Sequence, residues 1–522
     1  MNPVELSIFS NRIKAVCDEM GAVLQRAAFS PNIRDRLDFS CAVFDVQGEL
    51  CAQAAHIPVH LGSMAYAMRD IVKHIEWHDG DVVVVNDPFL GGTHLPDVTL
   101  ISPVFINDQL QGFVANRAHH ADIGGHSPGS MPISRSLEEE GIIIPPQHLL
   151  ERGELNQELM HAILDSTRNK TIGEGDFAAQ ISANKTGIQR LAKLIEQFGQ
   201  AHYQALLSAL NDYAQTIALH VIQSIPDGEY KFSDVMDDDG LGNTALKITL
   251  TLTVKGDQAH ADFDGTSPQT EGNINCPLSV VAAAVYYVFR CLMPGYTPAC
   301  AGSFRPVTIS APEGCLLNAK RPAAVAAGNV ETSTRIVDVV MGALAQAIPD
   351  QIPAASHGSM NNLAMGSVGG GLHNQSHWDY YETMGGGMGA GQYTDGLSGL
   401  QTHMTNTRNT PVEVMESSYP VRVHRYALRK NSGGLGKHHG GDGLIRELEF
   451  TDETTVTLLT ERRVTSPWGL NEGRDGQIGV NKINGKIMPA KFSTKLNKGD
   501  CLSVETAGGG GWGKTINNGK EK

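Results

Sequence analysis

Apolar residues change their period several times along the chain, and each change predicts a different element. Residues 5–28 place Ile13, Val16, Met20, Val23 and Leu24 three or four apart, the stripe of an amphipathic helix. Residues 38–54 switch to short apolar runs either side of Val46-Gln47-Gly48-Glu49, the pattern of a hairpin. Helical spacing returns over residues 60–78. A short apolar strand follows at 81–85 and, beyond a turn at Asn107-Asp108, a second strand at 112–120. These two strands are expected side by side, each delivering polar residues at its end. Residues 153–225 read as helical, with the stretch from Ile188 to Ile225 forming one long helix or two broken ones. Pro226-Asp227-Gly228 stops it.

Beyond that stop, residues 229–264 alternate as short strands, and residues 278–293 and 332–349 read as buried helices. Residues 357–403 are dense in glycine, and short strands recur from 443 onward. No repeat of fixed period is visible. The expected fold class is a mixed α+β fold of several subdomains. These are an α/β region at 1–152, a helical segment at 153–228, a mixed region with glycine-rich loops at 229–410, and a β-rich part at 411–522.

Composition narrows the function classes. The 522 residues hold 41 Lys+Arg against 56 Asp+Glu, a formal charge of −15. That balance argues against nonspecific nucleic-acid binding, which needs a basic footprint. With 41% hydrophobic residues the chain is not disordered, and it has no Gly-X-Y period. The eight cysteines contain no C-x-x-C pair, so neither a disulfide framework nor a zinc ribbon is expected. The amino terminus lacks the signature of a signal peptide and no apolar run reaches membrane length, so the expected location is the cytoplasm.

Two loop segments carry the best candidate chemistry. One runs from Asp87 to His94-Leu95-Pro96-Asp97, the other from Arg117 through His119-His120-Ala121-Asp122 to His126. Each sets a histidine three residues before an aspartate in a loop punctuated by glycine or proline. Mixed imidazole and carboxylate ligands suit Mn, Fe or Zn, which acidify water or polarise a carbonyl. The competing reading is ordinary polar loop residues. Asp38, at the entry to the first hairpin, is a further acid or ligand, or a turn aspartate.

Glycine is in excess, 57 of 522 residues against a typical ~7%. Gly508–Thr515 matches G-x-x-x-x-G-K-[ST], but the seven residues after it are too few and too polar for the helix a phosphate loop needs. Gly385–Ala390 meets a loose dinucleotide fingerprint without a convincing strand before it. The internal glycine zone is interleaved with His357, Asn361, Asn362, His373, Glu382, His403, Asn406 and Arg408. It lines a ligand cavity or simply supplies turns. Among its residues Glu382, His403 and Asn406 are the candidates for substrate contact.

Several of these motifs resemble the hydantoinase B/5-oxoprolinase family. They are Asp87-Pro88 with Gly91-Gly92-Thr93-His94-Leu95-Pro96-Asp97, Ala118 to Gly125, Glu140-Gly141-Ile142 with Pro145-Pro146, and Asp264 to Gln269. Thr405 to Glu413, Leu428-Arg429 with Ser432-Gly433-Gly434, and the terminal glycines also fit, so the resemblance covers nearly the whole chain in order. The family includes N-methylhydantoinases, of which this would be the B-type component, the corresponding half of ATP-dependent 5-oxoprolinase, caprolactamase, and acetone and acetophenone carboxylases.

The resemblance implies an A-type partner that binds ATP and phosphorylates the substrate, in a heterotetramer with two copies of each chain. It implies a divalent metal, Mn, Zn or Fe, held here by His94, Asp97 and His119. It further implies catalytic roles for Asp38, His120 and Asp122, in orienting ligands or handling protons. The expected activity is ATP-dependent hydrolysis of a cyclic amide. The alternatives are ketone carboxylation and a non-catalytic scaffold.

Overall fold

The first helix, α1 (Pro3–Ala27), starts where the Asn2 side chain accepts from the Val4 amide at 3.0 Å and Pro3 occupies the first turn. It buries Phe9, Ile13, Val16, Met20 and Leu24, with Val23 at the edge of the same contact. The computed structural model describes residues 2–515 except His56 and 368–376, and leaves out the side chains of Ala55 and Leu61. His373 and the seven residues after Thr515 therefore lie outside the described residues.

A seven-stranded antiparallel sheet organises the amino-terminal part. Its strands are β1 (Phe39–Phe44), β2 (Leu50–Ala55), β3 (Val82–Val85), β4 (Asp97–Ile106), β5 (Gln109–His119), β6 (Gln147–Glu151) and β7 (Glu154–Leu155). The order is β2-β1-β5-β4-β3-β6-β7. Alternation assigns Phe39, Cys41 and Val43 to one face, and Ala42 and Phe44 to the other. Both faces are covered. On one lie α1, the one-turn α2 (Pro31–Arg34), α5 (Lys170–Phe198) and α6 (Gln200–Gln223), and on the other lies α3 (Pro58–His74).

This order corrects the expected pairing of 81–85 with 112–120. β4 lies between them, in a stretch where Pro103 and the Gly91–Pro96 run hide the strand pattern. The helical middle is α4 (Gln157–Ser166) followed by α5 and α6, two long helices broken at Gly199, whose φ is +77°.

A second sheet holds β8 (Gly228–Asp238), β9 (Thr244–Lys255), β10 (Gln258–Asp262) and β11 (Val307–Ser310). Its inner residues share the largest core with α7 (Leu278–Leu292) and α8 (Ser333–Ala347). The remaining strands are β12 (Asn362–Gly366), β13 (Asp379–Glu382), β14 (Val421–Arg429), β15 (Gly443–Phe450), β16 (Thr454–Leu459), β17 (Val480–Ile483), β18 (Lys486–Met488), β19 (Lys491–Leu496) and β20 (Cys501–Glu505). They form the sheets β13-β12-β16-β19 and β14-β15-β20-β17-β18, so strand pairing crosses residue 410. Among the described residues, no helix is long and apolar enough to cross a membrane.

Many of the glycines beyond residue 385 serve backbone contact. Segments around residues 386–390, 433–441, 469–476 and 508–511 pack main chain on main chain. A Cβ on Gly387 would lie 1.9 Å from the Gly441 carbonyl oxygen, and one on Gly509 2.1 Å from that of Met388. The amides of Gly508, Gly509, Gly510 and Gly511 donate to Gln477, Gly441, Ala355 and Arg474, and those of Trp512 and Gly513 to His438 and Leu470. A phosphate loop needs those donors for its ligand, and here they are spent. The dinucleotide look-alike fares the same way, with the amides of Gly386 and Gly387 bound to Leu400 and Ala507.

Candidate metal centre

Strand register builds the centre. Asp97 opens β4 and stands directly across from His119, the last residue of β5. Before it the chain folds back sharply. Asp87 caps a 3-10 turn (Pro88–Leu90) by accepting from the Phe89 amide at 3.0 Å, and Gly91 takes φ +115°. At Gly92 a Cβ would sit 2.1 Å from the Asn86 carbonyl oxygen, so only glycine allows the loop to close there. The closure tucks His94 beneath the sheet end, where the Asp97 amide donates to its carbonyl at 3.1 Å.

His94 Nε2 lies 3.2 Å and His119 Nδ1 3.3 Å from Asp97 Oδ1. All three residues are buried, at 0, 2 and 1% exposure for His94, His119 and Asp97. Their ligand atoms lie within 4.8 Å of one another, so the three side chains can hold a metal ion. The donor set fits one. Two atoms each ~2.1 Å from a shared ion, at tetrahedral or octahedral angles, lie about 3.0–3.4 Å apart. His94 Nδ1 faces the Ala326 carbonyl at 3.2 Å, which assigns the proton to Nδ1 and leaves Nε2 a lone pair with no hydrogen-bond partner.

The other oxygen of the carboxylate is held from three sides. Asp97 Oδ2 accepts from Thr93 Oγ1 at 2.6 Å and Asn329 Nδ2 at 3.1 Å, and His60 Nε2 stands 3.3 Å away. His60 Nδ1 in turn meets Ser40 Oγ at 3.2 Å. His60 comes from the first turn of α3, and Asn329 from a π-helical turn (Gly328–Thr332), a distortion frequent at functional sites. Tyr381 of β13 stacks on the His119 ring at 4.6 Å and 8°. The Arg36 guanidinium lies 4.8 Å over the Tyr381 ring and donates to the Tyr381 carbonyl at 2.8 Å.

Asp38 reaches the same place. Leu37, at φ +57°, turns the chain between Arg36 and Asp38, and the Asp38 carbonyl accepts from the His119 amide at 3.0 Å. Arg36 Nη2 is 3.7 Å from Asp38 Oδ2. A cavity of about 20 Å³ lies between Asp38, His60, His94, Asp97, His119, Asn329 and Tyr381, lined also by Thr383, Thr405 and Thr407. That is room for one water or ion.

Burial alone would push the Asp97 carboxyl up, but His94, His60 and His119 outweigh it and hold Asp97 well below the usual carboxylate range. Burial also opposes charge on His94, yet the Asp97 charge wins and lifts the ring above its ordinary value. At His119 burial prevails and the value falls. Burial pushes Glu140 up to about 7, while its Oε1 accepts from the Val325 and Ala326 amides and so anchors the loop that orients His94.

Other expected site residues stand elsewhere. His120 follows His119 and points to the opposite face, where its Nε2 meets Gln180 Oε1 at 2.9 Å and its ring packs on Phe177. Asp122 accepts from Gly124, Ser130 and Arg168, tying its loop to the start of α5. Glu382 is buried against Arg446 at 2.8 Å and accepts from Tyr380 and Asn409. His403, at φ +58°, faces Tyr287, and Asn406 is exposed. None of these five lines the cavity. Conversely His60, Asn329 and Tyr381 belong to no catalytic motif, and only Asn329 carried a local cue, a polar residue within an apolar helical start.

A family model described as hydantoinase B/oxoprolinase matches residues 2–515. The chain belongs to this family. Over 98% of its length it is 42% identical to 5-oxoprolinase 1 of Arabidopsis thaliana, of which it spans 42%. It is 33% identical, over its whole length and 92% of the relative, to a Pseudomonas protein named as the B-type subunit of a D-/L-hydantoinase. The hydantoinase B fold recurs in the crystal structure of an ATP-dependent caprolactamase from Pseudomonas jessenii. There the TM-score is 0.91 at 26% identity, covering 98% of this chain and 91% of that one. Nucleotide-free acetone carboxylase gives a TM-score of 0.87 at 16% identity over 98% of this chain and 76% of that one, a likeness of fold alone.

Proposed function

We propose that this chain is the metal-bearing subunit of an ATP-dependent hydrolase of cyclic amides. It takes 5-oxoproline-like or hydantoin-like rings that an A-type, ATP-binding partner has phosphorylated on the amide oxygen. The observation that carries the reading is the buried triad of His94, Asp97 and His119 in a hydantoinase B chain.

The chemistry follows from the resistance of amides. Nitrogen donates into the carbonyl, and phosphorylation of the oxygen withdraws that donation and makes the carbon electrophilic. Water adds to that carbon, the ring C–N bond breaks as nitrogen takes up a proton, and a second water cleaves the resulting acyl phosphate to carboxylate and phosphate. His94, Asp97 and His119 hold the ion, which when bound supplies a Lewis acid for the developing negative charge. Asp38, in the same cavity, takes the proton of the attacking water, and Arg36 holds it from behind. The stack of Tyr381 on His119 and the bond from His94 to Ala326 keep both imidazoles from rotating. A 20 Å³ cavity admits no ring, so substrate entry requires the segments bearing Thr383, Thr405 and Thr407 to part from the sheet. Closure then excludes bulk water from an activated species.

The test is co-purification with the A-type subunit of the same source, then ATP-dependent turnover of 5-oxoproline, hydantoins, a simple lactam and acetone. Ring opening with about one transition-metal ion per chain is expected. A fully active metal-free complex would sink the metal assignment, and incorporation of labelled bicarbonate in place of ring opening would sink the hydrolase.

A further inference from the structure

Asn329 has a buried atom with nothing to bind. Its Nδ2 donates to Asp97 Oδ2 at 3.1 Å, and because a carboxylate only accepts, the orientation of the amide is fixed. The side-chain oxygen is therefore the other atom of the amide, and it is fully buried with no hydrogen-bond partner. Asn329 is 3% exposed and lines the same cavity as His94, Asp97 and His119. Its backbone is fixed as well. The residue sits in the π-helical turn, and its carbonyl accepts from Ser333 Oγ at 2.6 Å.

An unspent acceptor of this kind is costly to bury unless a donor arrives. Three of the hydroxyls at hand are already engaged. Thr93 Oγ1 is committed to Asp97, and Thr383 and Thr407 pair with each other at 2.5 Å. A donor that enters with the substrate would satisfy this oxygen in place of the single water the cavity has room for. A cyclic amide carries one such group next to the carbon under attack, the N–H of the scissile amide.

We propose that Asn329 Oδ1 accepts the N–H of the scissile ring amide, making this chain specific for secondary over N-substituted cyclic amides. The inference rests on the cyclic-amide reading above. Asn329 thus joins the ion and the substrate through one side chain, its nitrogen on the ligand carboxylate and its oxygen on the ring nitrogen. The bond sets the face of the ring turned toward the ion. Once the oxygen is phosphorylated, nitrogen keeps its proton only as the cationic imidate, and an acceptor on that N–H favours the cation, whose carbon is electrophilic.

The test uses the complete chain with its A-type partner and two rings, one with N–H at the scissile amide and one methylated on that nitrogen. Sites built to hydrogen-bond a substrate N–H discriminate strongly against analogues that lack it. The wild-type complex is expected to favour the N–H ring by at least about 100-fold in kcat/KM. In Asn329→Ala the ratio should fall to within about threefold, chiefly through loss on the N–H ring. Elemental analysis of the same samples separates a second effect. If the alanine merely loosens Asp97, metal content drops, both rings lose rate in proportion, the ratio is unchanged, and the proposal is overturned. A wild-type complex that opens both rings equally overturns it too, while leaving the hydrolase reading intact. A complex that opens neither ring removes the hydrolase reading and this inference with it.

Discussion

The triad and the glycine bundle are the two loudest signals in the sequence, and they differ in how they use their polar groups. At the triad, side chains converge with atoms left over. His94 Nε2, His119 Nε2 and Asn329 Oδ1 are buried without hydrogen-bond partners. In the bundle, amide after amide from Gly508 to Gly513 has an acceptor. A buried polar atom without a partner costs free energy that a packed interior does not carry idly. The bundle also leaves side-chain atoms over, Trp468 Nε1 and Trp512 Nε1 among them, so it is the convergence of ligating side chains on one point that separates the site from the support.

The largest expected effect comes from dismantling the triad. Asp97→Ala removes a proposed ligand and the charge that faces three imidazoles, so metal content by elemental analysis should fall from one ion per chain to background. ATP-dependent turnover should fall at least ~1,000-fold, the order expected when several kcal/mol of charge stabilisation is lost. The chain should stay folded, because the cavity is small and the sheet ends are held by main-chain bonds.

Gly509→Ala is the counterpart in the bundle. Its Cβ would lie 2.1 Å from the Met388 carbonyl oxygen, so the two segments must move apart. A loss of roughly 3 kcal/mol in chemical denaturation is expected, with metal content per folded chain unchanged. A variant as stable as wild type would mean the segments are not packed main chain on main chain.

Glu331 refines the criterion, since its Oε2 is also buried and unpartnered. Here the spare atom reflects a proton rather than an ion. Burial pushes this carboxyl from 4.5 up to about 8. The folded state then holds a proton that the unfolded state has released, so stability is full below 4.5 and falls as pH rises toward 8. Glu331→Gln, a neutral isostere, should match wild type near pH 5. It should exceed wild type by up to about 4 kcal/mol near pH 8 in urea titrations. Equal pH profiles for the two proteins would contradict the assignment.

The smallest effect is no change at all. Lys514→Ala should leave the ATP affinity of the complex unchanged within about twofold, because the amides of the preceding loop are already bonded within the protein. A tenfold loss in equilibrium binding would revive the phosphate-loop reading.

Much of the local structure was legible in the sequence. The stripe through Ile13, Val16, Met20 and Leu24 is the buried face of α1, and Gly48 and Gly199 stand at a hairpin turn and a helix break. The H-x-x-D spacing at His94 and Asp97 also survives, because a tight loop brings i and i+3 together. The second H-x-x-D does not. His119 faces the cavity while Asp122 is spent on Arg168, since the spacing in a chain that is leaving a strand says nothing about direction.

Local periodicity and short spacing were enough to settle most elements, the family and two of the three triad residues as neighbours, because each of these depends on residues close together in the chain. The rest came only with the folded chain. Folding inserted β4 between β3 and β5, so that Asp97 meets His119 across a strand pair, and brought His60, Asn329 and Tyr381 to them from distant elements. It also assigned the glycines of 386–390, 433–441, 469–476 and 508–511 to packing. Those outcomes depend on strand register and on which polar atoms remain unpaired once the chain has closed, and neither quantity is written in any short window of residues.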